Sequence, residues 1–246
     1  MNSIDPEKTS EQLVTFLKTS FQKAGFTKAV IALSGGVDSA TSCSLAVRAL
    51  GANNVYPVLL PYGSFSMQGT LDAMSVIEAL HTPPGHVTRI DIKPIVDLVP
   101  ATDNVRRGNL MARTRMMLLY DQAKKQNALV VGTENKTEHL LGYFTRFGDD
   151  ASDIEPLRNL YKTQVYVLAK YLQLPDVVLS RVPTAGLWEG QTDEGEFGFT
   201  YKEADEILYQ HFDEKKEITG FPKEVVEKVL SRAAANDFKH HLPMLP

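Results

Sequence analysis

The residues with the clearest chemical potential run from Ser34 to Ser39 and read Ser-Gly-Gly-Val-Asp-Ser. They follow an apolar run, residues 29–33, and precede a helical pattern that begins near Ala40. A strand that turns through two glycines into a helix brings backbone N–H groups close to an anion at the positive end of the helix dipole. The segment therefore predicts a phosphate-binding loop.

An ordinary strand-to-helix turn that happens to contain Gly-Gly is the simpler interpretation of the same residues. Five fixed residues in this order would arise by chance in roughly one chain of this length in several thousand, which favours the phosphate loop. A Walker loop is excluded, because no Gly-Lys-Ser or Gly-Lys-Thr follows at the distance needed to hold β- and γ-phosphates and magnesium. The loop is therefore built differently from that of a kinase or a GTPase.

A second polar constellation lies in the segment 108–117. Asn109 and Arg113 are four residues apart and share one helix face, whereas Leu110 and Met117 can anchor the helix to a sheet. Two polar groups on one face can hold one ligand. Taken alone, however, the segment is better explained as a solvated basic face made of Arg106, Arg107, Arg113 and Arg115.

The elements that would position these residues alternate between helical and strand-like patterns. A first helix is predicted from Pro6 to Ala24, with Gly25 as its stop. The remaining apolar runs are short and typical of strands buried on both faces of a parallel sheet, and they lie at 28–33, 55–60, 87–92 and 128–131. Right-handed crossovers place helices on both faces and the ligand at the carboxyl ends of the strands. We expect an α/β fold with a doubly wound, mostly parallel, Rossmann-like sheet in one domain, residues 1–246.

The composition excludes several function classes. Of the 246 residues 43% are hydrophobic and 23% charged, with a net charge of −4, whereas a nucleic-acid-binding domain is usually strongly basic. The N-terminus lacks the basic start and apolar core of a signal peptide, and no stretch approaches the roughly 20 apolar residues that span a bilayer. The single cysteine, Cys43, cannot form an internal disulfide and suits core packing. We therefore expect a cytoplasmic protein with no nucleic-acid or membrane partner.

The pattern Ser-Gly-Gly-x-Asp-Ser resembles the pyrophosphate loop of the N-type ATP pyrophosphatases, in the superfamily of adenine nucleotide α-hydrolase-like proteins. Those enzymes split ATP between the α- and β-phosphates and transfer AMP to an acceptor oxygen. The resemblance implies that the hydroxyls of Ser34 and Ser39, with the amides of residues 35–37, hold the pyrophosphate. It also implies that Asp38 helps to bind Mg²⁺, which prefers hard carboxylate oxygens.

Further motifs follow the loop in a fixed order. Ala-Arg-Thr-Arg at 112–115 precedes Gly132-Thr133, Glu138 and Gly-Tyr-Phe-Thr at 142–145. Gly-Asp at 148–149 then leads to Asp153 and to Pro-Leu-x-Asn-Leu-x-Lys at 156–162. Together with the loop, this order closely resembles the short, ammonia-dependent form of NAD synthetase from about Ala29 to Lys162, and more loosely beyond.

The resemblance to this family implies an ATP-dependent amidation. The nicotinate carboxylate of deamido-NAD attacks ATP to give an acyl adenylate and pyrophosphate, and ammonia then displaces AMP to give NAD, the final step of NAD biosynthesis. Such chemistry requires charge neutralisation and alignment more than a protein nucleophile. The resemblance implies Mg²⁺ as cofactor, ATP as co-substrate, and a homodimer with substrate bound near its interface.

The resemblance also implies roles for single residues. Asp38 and Glu138 match the magnesium ligands and Lys162 matches a lysine that contacts the ATP phosphates, and these three are the catalytic candidates. The residues implied in ATP binding are Leu33, Ser34, Gly35, Gly36, Val37, Asp38, Ser39, Ala40, Thr133, Lys162 and Thr184. Those implied in deamido-NAD binding are Arg113, Arg146, Asp153, Phe238 and Lys239. Judged without the family, Glu138 and Lys162 suit solvated helix positions and Thr184 suits a cap.

Three positions depart from the family pattern. Arg146 stands where the family often has lysine, which keeps the charge and changes the geometry. Phe238-Lys239 stands where a His-Lys pair is common, although two histidines, His240 and His241, follow it. These adjacent histidines alone lack a metal-ligand set. Leu59 falls where the family has an arginine thought to lie over adenine, so we expect base recognition to be more apolar.

Two alternatives to an NAD synthetase stay open. Another adenylating enzyme of the same fold, such as a tRNA thiolase or a GMP-synthetase-like amidase, would act on a different acceptor. The lack of paired cysteines, a basic tract and an amidotransferase domain counts against it. A non-enzymatic nucleotide-binding module would keep the loop as a sensor, and the presence of Asp38, Glu138 and Lys162 counts against that. With no spare length for a glutamine-hydrolysing domain, free ammonia or ammonia from a separate protein is the expected nitrogen donor.

Overall fold

The computed structural model describes residues 3–241. Its strands are β1 (Ala29–Ala32), β2 (Val55–Leu59), β3 (Thr88–Arg89) and β4 (Leu129–Val130). Its helices are α1 (Pro6–Ala24), α2 (Val37–Leu50), α3 (Met67–Ala79), α4 (Lys93–Val96), α5 (Asn104–Gln126), α6 (Lys136–Leu141), α7 (Lys162–Tyr171), α8 (Asp176–Leu179), α9 (Asp193–Phe197), α10 (Tyr201–Leu208) and α11 (Lys223–Asn236). Within these described residues no helix has both the length and the apolar character of a membrane span.

The first helix has the bounds that the sequence predicts, because local signals define both of its ends. A carboxylate oxygen of Asp5 accepts hydrogen bonds from the backbone N–H groups of Glu7 and Lys8 at 3.1 and 3.2 Å, and Pro6 occupies the first turn. At the other end Gly25 adopts a left-handed conformation, with φ of 77°. The prediction for α1 is confirmed.

The strands form a parallel sheet in the order β3-β2-β1-β4. The predicted strand at 87–92 is regular only over Thr88–Arg89, although Ile90 and Ile92 still donate backbone hydrogen bonds to Leu59 and Pro61 at 2.9 and 2.8 Å. Both β3 and β4 lie at the ends of this strand order, and beyond β4 the pairing continues as an isolated bridge between Val131 and Ile154, so regular pairing ends sooner than the apolar run does. The predictions of strand position are confirmed and their lengths are corrected.

Helices cover both faces of the sheet, as predicted for a doubly wound fold. Along β1, Ala29 and Ile31 join a core with α1, α2 and α7, whereas Val30 joins a second core with α5. The alternation of neighbouring side chains between two cores explains why the strands read as continuous apolar runs. A third core connects α6, α9, α10 and α11 through residues that include Leu141, Phe197 and Val229.

Candidate active site

A cavity of about 700 Å³ lies where the carboxyl ends of the strands meet the third core. Leu33 after β1, Leu60 after β2 and Val131 after β4 line its base. Ligands of open α/β sheets bind in this position, because strand ends and helix starts converge there.

The predicted phosphate loop lies at this cavity and is organised by its own hydroxyl groups. The Oγ atoms of Ser34 and Ser39 are 3.0 Å apart, and Ser39 Oγ also donates to the carbonyl of Gly36 at 3.0 Å. Gly36 precedes the first residue of α2, and no side chain caps this helix end. The N-terminal N–H groups of α2 are therefore open to an anion.

The structure requires glycine at one of the two glycine positions of the loop and not at the other. Gly35 has φ of +80°, and a Cβ atom there would lie 2.3 Å from the carbonyl oxygen of Gly69 in α3. A Cβ atom on Gly36 would meet only Ser34 Oγ, at 3.4 Å, which is ordinary contact. The close approach of α3 therefore requires glycine at position 35.

The other residues of the segment 33–40, which is predicted to surround ATP, lie partly at the cavity and partly in the core. Leu33 and Val37 line the cavity while they also pack into the sheet core. Ala40 is fully buried in that core, one turn into α2. The segment predicted to surround ATP therefore faces the cavity at its start and anchors α2 at its end.

The three predicted catalytic residues meet at one point. The Nζ atom of Lys162 lies 2.6 Å from Asp38 Oδ2 and 3.1 Å from Glu138 Oε1. The side chain of Lys162 is 3% exposed, and those of the two carboxylates are about 15% exposed. Asn135 Nδ2 donates to Asp38 Oδ1 at 2.9 Å and fixes the second carboxylate oxygen. We call Asp38, Glu138 and Lys162 the ionic triad.

Helix starts position all three members of the ionic triad. Asp38 lies in the first turn of α2, Lys162 is the first residue of α7, and Glu138 lies in the first turn of α6. Glu138 belongs to a capping box in which the Asn135 side chain accepts its backbone N–H at 3.0 Å. Local helix-start signals and the parallel sheet therefore bring Asp38 together with two residues that lie 100 and 124 positions later in the sequence.

Burial and charge set the electrostatics of the ionic triad. Burial raises the pKa of Glu138 above its ordinary value, although the neighbouring Lys162 opposes this shift. Burial alone would lower the pKa of Lys162, but Asp38 and Glu138 together raise it above its ordinary value. One ammonium thus serves two carboxylates, and a further cation would be stabilised beside them.

The donor set suits a cation that is shared with phosphates. Among residues 3–241 no group of three or more His, Cys, Asp or Glu side chains is placed to hold a metal ion. Mg²⁺ is usually held by one or two carboxylates together with substrate phosphates and water. Asp38 and Glu138, beside the phosphate loop, fit that arrangement and do not form a closed metal centre.

The two predicted threonines both line the cavity, and each is half-buried. Thr133 follows Gly132 just beyond β4. The Oγ1 atom of Thr184 accepts the backbone N–H of Gly186 at 3.0 Å, so this residue also caps a turn. Capping and a place at the cavity are therefore compatible at position 184.

Two residues predicted to bind deamido-NAD lie together outside the cavity lining. The Nε and Nη2 atoms of Arg113 on α5 donate to the carbonyl of Arg146 at 3.3 and 3.2 Å. The guanidinium of Arg146 lies 4.9 Å from the Phe147 ring centroid and donates to the carbonyl of His241. Asp153 is apart from this pair, since its Oδ2 atom accepts the backbone N–H of Val130 at 2.7 Å.

The C-terminal pair predicted to bind deamido-NAD is divided between cavity and surface. Lys239 lines the cavity, where its Nζ atom donates to the carbonyls of Gly142 and Phe144 at 2.6 and 3.0 Å. Partial burial lowers the pKa of Lys239. Phe238 is 55% exposed and is not part of the cavity lining.

A cluster of two tyrosines and one aspartate lies beside the ionic triad, and the sequence alone does not predict it. The hydroxyls of Tyr143 and Tyr201 donate to Asp193 Oδ1 and Oδ2 at 3.0 and 2.8 Å. Asp193 is 3% exposed, and Lys162 Nζ lies 4.9 Å from the Tyr201 ring centroid. Only the helix-start pattern Thr192-Asp193 signals this group in the sequence, because its partners come from distant segments.

Arg115 corrects the interpretation of the basic segment as a solvated face. Its Nε atom donates to the carbonyl of Leu60 at 3.1 Å, and its side chain lines the cavity. Burial lowers the pKa of Arg115 to about 10. Leu59, where the family pattern has an arginine, is 2% exposed and lies in the same wall. The guanidinium of Arg115 therefore lies next to the apolar part of the cavity lining that includes Leu59 and Leu60.

Comparison with known proteins agrees with these features. A family described as NAD synthase matches residues 9–243. The NH(3)-dependent NAD(+) synthetase of Fusobacterium nucleatum is 41% identical over 256 aligned residues, which cover 100% of this chain and 98% of that protein.

Solved structures show the same likeness in three dimensions. The NMN synthetase from Francisella tularensis has a TM-score of 0.88 and 37% identity, covering 99% of both chains. The NH3-dependent NAD synthetase from Campylobacter jejuni, in complex with the nitrate ion, has a TM-score of 0.84 and 31% identity over 99% of this chain and all of that one. Since the family match and these relatives extend over nearly the whole sequence, the chain belongs to the NAD synthase family.

Proposed function

We propose that this chain catalyses the ATP-dependent amidation of deamido-NAD with ammonia, giving NAD, AMP and pyrophosphate. The observation that carries the proposal is the ionic triad, in which the Nζ atom of Lys162 joins Asp38 and Glu138 beside an open phosphate loop. The substrate's own carboxylate is the nucleophile in this reaction. Charge neutralisation and alignment, which this arrangement can supply, are what the chemistry requires.

In this proposal the phosphate loop and Lys162 hold the ATP phosphates. The uncapped start of α2 offers N–H groups, while Ser34 and Ser39 offer hydroxyls. Lys162 stays protonated because two carboxylates surround it. Its ammonium would stabilise the negative charge that pyrophosphate gains as it leaves. Thr133 and Thr184, which line the same cavity, would make further contacts to ATP.

Mg²⁺ is part of the proposal, with Asp38 and Glu138 as the residues that would hold it. The two carboxylates share one lysine, and their donor set fits a cation that is also bound by phosphates. When bound, the ion would neutralise phosphate charge and make the α-phosphate more electrophilic.

Binding of the acceptor is proposed at Arg113, Arg146, Asp153, Phe238 and Lys239. Lys239 lines the cavity, whereas Arg113 lies four positions before the exposed Met117 in α5, and Arg146 lies against the exposed ring of Phe147. These two apolar residues are 51% and 55% exposed, and Phe238 is 55% exposed. We infer that this patch binds a second copy of the chain, so that the acceptor residues lie near a dimer interface. A Met117→Glu variant should then elute as a monomer at a concentration where the natural chain is dimeric by light scattering.

The proposed reaction is tested by counting all three products. The chain, taken as one domain over residues 1–246, is incubated with ATP, Mg²⁺, deamido-NAD and ammonium. NAD, AMP and pyrophosphate are measured together, and deamido-NAD is omitted in the control. Equal, acceptor-dependent formation of the three products supports the proposal. Formation of AMP and pyrophosphate without NAD would contradict the assignment of deamido-NAD as the acceptor. The absence of any turnover would contradict the assignment of the chain as an enzyme.

A second acceptor is favoured by one observation. The solved structure with a TM-score of 0.88 to this chain is described as an NMN synthetase, so deamido-NMN is the alternative substrate. Both acceptors carry the same nicotinate carboxylate, and they differ in the adenylate half. The ratio of kcat/KM for deamido-NAD and deamido-NMN decides between them. A ratio above ten supports NAD synthesis, and a ratio below one tenth would assign NMN synthesis instead.

A further inference from the structure

We propose that Arg181 is a further ligand of the ATP triphosphate, at the Ser34–Gly35 end of the phosphate loop, and that Asp72 is its positioning residue. The proposal rests on the ATP-dependent reaction described above. It adds a phosphate-binding residue that lies outside every motif found in the sequence.

The position of Arg181 is defined by its approach to the loop. It follows α8 and lines the same cavity as the ionic triad. A Cβ atom on Gly69 in α3 would lie 2.7 Å from the carbonyl oxygen of Ser34 and 3.2 and 3.3 Å from Nη1 and Nη2 of Arg181. The absence of a side chain at Gly69 therefore lets the guanidinium and the loop approach each other.

Asp72 fixes the guanidinium in this position. Its Oδ2 atom lies 2.6 Å from Arg181 Nη1, and its Oδ1 atom accepts from Gln68 Nε2 at 2.8 Å. Asp72 is 4% exposed, and its Cβ atom would be 2.9 Å from a Cβ on Gly35. One buried carboxylate is thus packed against the loop and also orients Arg181.

Arg181 has donor capacity beyond its ion pair. A guanidinium carries five N–H donors, and its planar fork matches the geometry of phosphate oxygens. The side chain of Arg181 is 27% exposed, and Arg181 is one of the residues that line the cavity. The pair with Asp72 therefore orients the group without using all of its donors.

Two cations then lie near different parts of the loop. Lys162 pairs with Asp38 at the start of α2, whereas Arg181 adjoins the Ser34–Gly35 end. In the first step an acceptor carboxylate oxygen bonds to the α-phosphorus, and the bond from that phosphorus to the bridging oxygen breaks. The electron pair stays on the oxygen of pyrophosphate, and no proton is transferred. Arg181 would stabilise the leaving pyrophosphate.

The competing explanation is that the ion pair only ties the segment after α8 to α3. A structural role would affect thermal stability and would not distinguish between ligands. A phosphate-binding role would affect ligands that carry the β- and γ-phosphates and would spare AMP. The ligand comparison therefore separates the two explanations.

The test measures equilibrium binding of ATP, inorganic pyrophosphate and AMP by calorimetry, with Mg²⁺ and without acceptor. The variants are Arg181→Gln, Arg181→Lys and Asp72→Asn. Arg48→Gln is the matched control, since Arg48 lies in the last turn of α2 with its guanidinium 6.0 Å from the Tyr171 ring centroid. Arg181→Gln should weaken ATP and pyrophosphate binding about 10- to 100-fold and leave AMP binding unchanged. Arg181→Lys and Asp72→Asn should each show a smaller loss, and Arg48→Gln should show none.

Two outcomes would overturn the inference. One is unchanged pyrophosphate affinity in Arg181→Gln, and the other is an equal loss for AMP, which would mark damage to the loop. The proposed function fails in a different way. If the natural chain binds ATP and pyrophosphate but forms no NAD, the amidation is contradicted while the assignment of Arg181 stands. If Arg181→Gln makes NAD with the natural KM for ATP, only the assignment of Arg181 is overturned.

Discussion

The proposed phosphate end of the site, around the ionic triad, and its proposed acceptor end, around Arg113 and Arg146, are held together in different ways. At the phosphate end, Lys162 is almost fully buried and contacts two carboxylates at 2.6 and 3.1 Å. At the acceptor end, Arg113 is exposed and bonds to a backbone carbonyl at 3.2 and 3.3 Å. Helix starts and strand ends fix the first set, whereas the second lies on a surface with exposed aromatic neighbours. The contacts therefore favour a preorganised arrangement at the proposed phosphate end, whereas the proposed acceptor end lies on the surface.

The largest effect is expected from Lys162→Met. The variant leaves Asp38 and Glu138 buried side by side without their shared ammonium, and it removes the charge next to the proposed phosphate site. We expect kcat to fall about 10²- to 10³-fold, as when one preorganised donor is removed from a transition state. Steady-state NAD formation measures this change.

Lys170→Met is the matched control for this variant. Lys170 belongs to the same helix, α7, and is exposed. We expect its kcat to be close to that of the natural chain. If both variants keep full activity, the ionic triad is not part of the chemistry, and the contrast between the two ends loses its main support.

The next effect is expected from Gly35→Ala. A methyl group there would lie 2.3 Å from the carbonyl of Gly69 and would strain a backbone with φ of +80°. The variant Gly25→Ala has a similar φ of +77° and meets no atom within 4 Å, so it isolates the cost of the left-handed conformation. We expect Gly25→Ala to cost about 1 kcal/mol of unfolding free energy. Gly35→Ala should cost more than that and should also weaken ATP binding at least tenfold.

The outcome for Gly35 is measured by urea unfolding and by ATP titration of both variants. Equal unfolding free energies and equal ATP affinities for the two variants would show that α3 can move away from the loop. The phosphate end would then be less preorganised than its contacts indicate.

A smaller and more selective effect is expected at the acceptor end. Arg113→Gln and Arg146→Gln should each raise KM for the acceptor about tenfold, because each removes one charge-assisted contact. The KM for ATP and the melting temperature should stay near their natural values, since the contacts of these side chains are to backbone carbonyls and a ring. Arg106→Gln, in an exposed pair with Asp103 on the same helix, is the control. A shift in KM for ATP in either variant would contradict this prediction, because it would show that the two ends do not bind their ligands independently.

The sequence predicts the local structure of the proposed phosphate end well because its signals are local. The run from Ser34 to Ser39, together with the start of a helix, indicates a phosphate loop without any knowledge of distant contacts. The meeting of Asp38, Glu138 and Lys162 follows from the family resemblance, and the sheet order explains it physically. A parallel sheet brings the carboxyl ends of its strands to one edge.

The parts that the sequence does not predict depend on tertiary contacts. Arg181 becomes a candidate only when Asp72 and Gly69 are seen beside the loop. Asp193 is recognised only through its two tyrosine partners. Arg115 fits a solvated basic stripe in sequence, yet its side chain reaches the carbonyl of Leu60. Helical spacing does not distinguish an arginine that points to solvent from one whose side chain reaches the backbone at the end of a strand.

The smallest effect is expected from the core behind the phosphate end. Cys43 lies in α2, seven residues after the helix N-cap, and is fully buried. Burial raises the pKa of its thiol to about 12, from an ordinary value of about 9. We expect no reaction with a thiol reagent at pH 8 in the native chain, and one reactive thiol per chain in denaturant. Fast labelling of the native chain that ATP suppresses would show that α2 opens, contrary to a preorganised phosphate end.

The same thiol predicts a direction for stability at high pH. Between about pH 9 and pH 12 the unfolded chain has lost the Cys43 proton while the folded chain keeps it, so the unfolded state binds fewer protons. The contribution of Cys43 to the free energy of unfolding therefore falls as pH rises, by up to about 1.4 kcal/mol per pH unit. Cys43→Ala removes this term, and its unfolding free energy should decline less steeply over the same range. Parallel declines for the two chains would show that the thiol ionises as freely in the folded state as in the unfolded one, and that α2 is less firmly packed than its burial indicates.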